Sequence, residues 1–187
     1  TRYESSAASD VYKRQIANSG KLGDKDINDE TIFPIWSMSK PVTTVAMMIL
    51  YDQGEFELNH NLSDYLPEYK NMMCQNGDLI EPCKNQIKII DLLTHRSGLG
   101  YYSDVYGTNN FISEPSPLFK YMNTYFYDDL NEFSLAVSKQ TLEFEPGKHY
   151  YYGLNQDILG RVIEVITGKT FYEFLVENLF IPLEMSN

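Results

Sequence analysis

The sequence predicts a helix-dominated domain with few strands. Three observations carry this. Apolar residues recur at three- and four-residue steps in several separate segments, as a helix with one buried face requires. Capping residues open these segments and glycine or proline closes them. Stretches of strict apolar–polar alternation, the mark of a half-buried strand, are scarce.

In chain order, residues 1–15 (TRYESSAASDVYKRQ) are small and polar, without apolar periodicity, and read as a tail outside the fold. Residues 16–30 are loop-like and charged. Residues 31–36 (TIFPIW) are apolar and read as a strand or a packed connection, with Pro34 arguing against a central strand. The first strong helix is expected over 37–53. Pro41 lies in its first turn, where a missing N–H costs nothing. Val42, Val45, Met48 and Ile49 follow at helical spacing, and Gly54 stops the run.

Cys74 and Cys83 sit in a polar stretch with an Asn76-Gly77 turn signal. They read either as a disulfide closing a short loop or as two thiols in a reducing compartment; zinc is disfavoured, because no second ligand pair is near. A disulfide would point to an extracytoplasmic compartment, periplasmic or secreted. Residues 87–95 predict a short helix with Ile89, Leu92 and Leu93 inward, and 101–127 a long irregular segment. Residues 129–140 predict a helix capped by Asp129, with Glu132 three residues on. Residues 157–167 carry Ile158, Leu159, Val162, Ile163 and Ile166 on one face and end at Gly168. A further helix starts with the capping box Thr170-x-x-Glu173 and ends at Pro182.

Composition excludes whole classes of function. Fifteen Lys/Arg against 26 Asp/Glu leave a formal net charge of −11, the wrong sign for a phosphate-binding face, so no nucleic-acid partner is expected. A hydrophobic content of 43% excludes an acidic disordered chain, and 187 residues suit one domain. The longest purely apolar run, 45–50, is far short of a membrane span, and no charged-then-apolar leader opens the sequence.

One pattern could carry covalent chemistry: Ser37-Met38-Ser39-Lys40. One helical turn separates Ser37 from Lys40, so both side chains share a face. A helix N-terminus favours a developing alkoxide, and a lysine amine can take its proton if burial lowers its basicity. Phe33, Ile35, Trp36 and Val42 flank the pair and are expected to supply that burial. An ordinary serine cap with a surface lysine fits the same four letters. Tyr150-Tyr151-Tyr152 could supply a phenol to shuttle protons or an aromatic core stripe; alternation puts Tyr150 and Tyr152 on one face and Tyr151 on the other. His60, His95 and His149 show no metal-ligand spacing, and His95 reads as a hydrogen-bonded structural histidine. No G-x-S-x-G elbow or glycine-rich phosphate loop occurs.

The order of blocks resembles a known family. TIFPIWSMSKPVTTVAMMIL, GEFELNHNLSDYLPEY, IIDLLTHRSGLGY, EPGKHYYYGLNQDILGRVIEVITGK and FLVENLFIPLEM are similar, in sequence order, to the serine β-lactamase-related group: class C β-lactamases, DD-peptidases, family VIII carboxylesterases and D-aminopeptidases. The likeness covers about 16–185. It implies an α/β (α+β) protein of the β-lactamase/transpeptidase-like fold, here a fragment dominated by helices with an incomplete antiparallel sheet. It implies Ser37 as acylated nucleophile, Lys40 as its base and Tyr152 as the third catalytic group, with no metal or organic cofactor. Leu154 stands where β-lactamases carry an asparagine that binds substrate, as in esterase-like members; with Tyr101 and Tyr102 it is expected to line the substrate site. Lys88 replaces a common capping threonine and Glu184 a common glycine.

The resemblance also implies that the third motif, a Lys/His-x-Gly strand, is missing and that 16–187 is a partial domain. That strand supplies one of two oxyanion-hole donors, and losing one removes on the order of 3–4 kcal/mol of transition-state stabilisation. The expected function is therefore a serine hydrolase acting through an acyl-enzyme on an ester, β-lactam or D-amino-acid peptide when full length, with the fragment weak or inactive. The alternative is a non-catalytic penicillin-binding-like sensor with the same fold.

Overall fold

The computed structural model describes residues 28, 31–100 and 127–185 and divides the chain into two units, Thr1–Trp36 with Asn187, and Ser37–Ser186. In the first, Asn28 and Thr31 close a turn: the Thr31 N–H donates to the Asn28 carbonyl at 3.1 Å and the Asn28 N–H to Thr31 Oγ1 at 3.0 Å. Residues 31–35 form no strand. Pro34 lacks the N–H that a ladder would need. The segment 1–15 lies outside the described residues.

The second unit holds five α-helices among the described residues. α1, Ser39–Asp52, follows a 3-10 turn, Trp36–Met38, so the predicted helix starts two residues later than its spacing suggested. α2 is Ile89–Leu93, α3 Leu130–Val137, α4 Asn155–Thr167 and α5 Phe171–Leu175. The caps act as their residue types dictate. Asp129 accepts the Glu132 N–H at 2.8 Å, Thr170 and Glu173 form the reciprocal box, and Gly168 ends α4 in the left-handed region. Lys88 occupies the N-cap of α2 but has no acceptor to offer. Only the return half of the box forms there, Asp91 Oδ2 accepting the Lys88 N–H at 3.0 Å. Beyond α5 the pattern widens to a π-helical turn, Val176–Phe180. Glu184 takes φ 54°, the left-handed region in which glycine is relaxed.

A two-stranded antiparallel hairpin, β1 Met73–Asn76 and β2 Leu79–Pro82, was not foreseen. The strands are four residues each and face solvent, so no alternating apolar run announces them. Gly77, at φ 62°, makes the tight reversal that the Asn-Gly signal foretold. Cys74 and Cys83 are bonded across the hairpin, and Cys74 is buried. β1 also bonds the later chain: the Leu142 N–H donates to the Met73 carbonyl at 2.7 Å, and the Gln75 N–H to the Leu142 carbonyl at 2.8 Å.

α4 sits at the centre, packed against α1, α2, α3 and α5. Its Ile158, Leu159, Val162 and Ile163 are fully buried with Ala46 and Met47 of α1 and Ile89 and Leu92 of α2. This burial packs α1 and α4 against each other through the middle of each helix. Tyr69 lies in the same core, its hydroxyl donating to the Ser134 carbonyl at 3.0 Å.

The hairpin bond closes a loop with a sequence separation of nine. By loop-closure entropy, replacing both Cys74 and Cys83 by serine is expected to cost about 2–3 kcal/mol. Denaturant unfolding of the double variant checks this; an unchanged midpoint would show that the staple adds nothing.

Candidate active site

Ser37 lies in the 3-10 turn just before α1, and Lys40 in the first turn of the helix itself. This local geometry lets the Lys40 Nζ donate to Ser37 Oγ at 3.3 Å. The Tyr152 hydroxyl donates to the same oxygen at 2.7 Å, from 115 residues away in sequence. The Lys40 ammonium also stands 4.7 Å from the centroid of the Tyr152 ring, a cation–π distance. The three groups thus converge on one oxygen.

The expected burial of the pair is corrected. Ser37 is exposed, Lys40 half-buried and Tyr152 40% exposed. Phe33, Ile35 and Trp36 are exposed as well, and Val42 is half-buried.

Tyr152 is delivered by backbone pairing. The Glu143 N–H donates to the Gly98 carbonyl at 3.0 Å, the Gly147 N–H to the Arg96 carbonyl at 2.8 Å and the Tyr151 N–H to the His95 carbonyl at 2.8 Å. Residues 143–151 are thereby pinned along 95–98. Gly153 then passes so close to the neighbouring segment that a Cβ there would stand 2.1 Å from the Leu99 carbonyl oxygen and 2.8 Å from Gly100 Cα. The tyrosines alternate as their spacing suggested. Tyr150 and Tyr152 both face the His95 ring, at 6.0 and 4.9 Å between centroids, and Tyr151 packs against Phe144.

Leu154 is not brought to this surface. It is the N-cap residue of α4 and fully buried, so its apolar side chain belongs to the core. Tyr101 and Tyr102 lie outside the described residues.

Sequence spacing missed a polar chain behind the phenol. His95 follows α2 in a Schellman arrangement, the Arg96 N–H donating to the Asp91 carbonyl and the His95 N–H to the Leu92 carbonyl. Such motifs want glycine at the left-handed position; here His95 holds it at φ 54°, at a cost of about 1 kcal/mol. Its Nδ1 lies 2.9 Å from Asn155 Nδ2, and Ser97 Oγ donates to Asn155 Oδ1 at 2.5 Å. Ser97 and Asn155 are fully buried. Burial, and then the Lys40 charge, push His95 below the ordinary imidazole value, favouring the neutral ring. The histidine is hydrogen-bonded as expected, yet it also borders the site. Only the fold shows this, since no short motif links 95, 97 and 155.

Gly153→Ala is expected to destabilise the protein by about 1–3 kcal/mol, because the obstructing atoms are backbone and cannot rotate away. Denaturant unfolding measures the loss; wild-type stability would mean that the close approach does not exist in solution.

With the geometry established, comparison with known proteins gives a consistent picture. The Beta-lactamase family model matches residues 4–187, starting inside the segment set aside on composition as a tail. Esterase EstB of Burkholderia gladioli is 28% identical over 164 residues, covering 85% of this chain and 38% of the esterase. The solved structure of EstCE1, a hydrolase with promiscuous acyltransferase activity, superposes with a TM-score of 0.59 at 26% identity, covering 81% of this chain and 37% of that one. A penicillin binding protein from Bacillus halodurans superposes with a TM-score of 0.57 at 28% identity, covering 79% and 40%. The chain therefore spans less than half the length of each relative.

Proposed function

The chain belongs to the Beta-lactamase family, and from that premise we propose that the full-length protein carrying it is a serine hydrolase working through an acyl-enzyme on Ser37. Relatives that include an esterase and a hydrolase with acyltransferase activity support the class. The observation that carries the reading is the meeting of Tyr152 and Lys40 on Ser37 Oγ, at 2.7 and 3.3 Å.

Ser37 Oγ bonds to the carbonyl carbon of the substrate while its proton passes to Lys40 in the amine form. Two N–H or O–H groups around one oxygen lower the cost of the charge that develops on it. The tetrahedral intermediate then breaks its bond to the leaving group, which takes a proton through Tyr152. Water attacks the acyl carbon, giving up its proton to the same Lys–Tyr pair, and Ser37 regains its hydroxyl as the acid departs. No step calls for a metal or organic cofactor. The substrate class is an ester, a D-amino-acid peptide or a β-lactam, with the ester favoured by the esterase among the relatives. The disulfide between Cys74 and Cys83 supports an extracytoplasmic, periplasmic or secreted, location.

A fluorophosphonate or fluorescent β-lactam incubated with the full-length protein should label the peptide carrying Ser37. Ser37→Ala should abolish the label, and Tyr152→Phe should slow its appearance by about 10²- to 10⁴-fold. Mass spectrometry of the adduct decides the point, and labelling that survives Ser37→Ala removes Ser37 as nucleophile. An adduct on Ser37 that forms but never turns over would instead favour a non-catalytic penicillin-binding sensor.

A further inference from the structure

We propose that His95 is a positioning residue: a neutral imidazole, with its proton on Nε2, whose ring holds the Tyr152 phenol against Ser37. The proposal rests on the acyl-enzyme reading for its kinetic consequence but not for its structural one.

Three independent features point the same way. The first is the direction of the hydrogen-bond chain. The Leu99 N–H donates to Ser97 Oγ at 3.0 Å, so that hydroxyl spends its own proton on Asn155 Oδ1 at 2.5 Å. The Asn155 amide is then oriented with Nδ2 toward His95, 2.9 Å from Nδ1. An amide nitrogen can only donate, so Nδ1 must be the unprotonated nitrogen and Nε2 carries the hydrogen. A proton on Nδ1 would set two donors against each other beside a fully buried asparagine.

The second feature is contact. The His95 and Tyr152 rings are in contact, their centroids 4.9 Å apart and their planes tilted by 31°. Tyr152 is 40% exposed, and the His95 ring covers part of its surface while Lys40 Nζ stands 4.7 Å from its centroid. The Ser97–Asn155–His95 chain thus sets the surface against which the phenol packs, and the hydroxyl at the far end of that ring is the one bonded to Ser37.

The third is the backbone. His95 holds a position at the end of α2 where glycine would be relaxed. Strain kept at one residue asks for a reason in what its side chain does. Here the left-handed turn aims the ring between Asn155 and Tyr152. The lowered basicity of the imidazole, from burial and the Lys40 charge, agrees with a ring that stays neutral.

Two variants separate the roles of the ring and of its acceptor. His95→Asn suits the left-handed backbone and keeps an acceptor for Asn155, but removes the ring face. It should retain the wild-type melting temperature while lowering kcat for acylation about ten- to a hundredfold with KM little changed, the penalty of a misplaced catalytic group. His95→Phe keeps a ring and removes the acceptor. It should melt lower yet recover acylation to within a few-fold of wild type. A merely structural histidine would move stability and rate together in both variants, and that result overturns the proposal. Imidazole ¹⁵N spectra of the unmodified protein give a readout that needs no turnover. An Nε2–H tautomer is expected, with the Tyr152 ring signals shifting in His95→Asn; an Nδ1–H tautomer, or unmoved Tyr152 signals, refutes the positioning role even if Ser37 is never acylated. Absence of acylation in the wild-type protein alone would refute the hydrolase reading and leave these spectra to decide the contact.

Discussion

The oxygen of Ser37 receives hydrogen bonds from two side chains that reach it by different routes. Lys40 arrives by local geometry, one turn along the chain. Tyr152 arrives only because α1 and α4 are locked together through fully buried apolar faces. A hydrogen bond loses its strength within a few tenths of an ångström, so the core must hold the two helix starts to that tolerance. Thr44 and Gln156, bonded at 3.4 Å between α1 and α4, follow soon after Lys40 and Tyr152 in the chain and mark how closely the two helices approach.

The segment leading into Tyr152 is irregular, yet it is not loosely held. Its N–H groups donate to carbonyls of residues 95–98, its start is bonded to β1, and the hairpin carrying β1 is closed by a disulfide. Gly153 completes the arrangement by having no side chain where the Leu99 carbonyl passes. Stability and chemistry meet here: the backbone bonds that satisfy an irregular segment are the same ones that aim the phenol.

Ser37 is exposed and Lys40 half-buried. Under the proposed acyl-enzyme reading, proximity and the directed donors around the serine oxygen are the physical means of activation. His95 adds to this from behind, as a neutral aromatic surface beside a cation rather than as a second charge.

Much of this protein could be read before any coordinates. Helical spacing marked α1, α3 and α4 to within a few residues, because a buried helix face imposes its period on the chain. Asp129 and Thr170 marked helix starts, because capping is settled within four residues. The pairing of Ser37 with Lys40 was legible for the same reason. Other features depend on contacts between distant parts of the chain and left no local trace. The hairpin strands are too short and too exposed to alternate. Leu154 was assigned to substrate from its place in a motif, whereas packing buried it. His95, Ser97 and Asn155 became one network only when α2 met the start of α4. Interactions within one turn are written in the spacing of residues; those between segments follow from how apolar faces fit together, which only the folded chain decides.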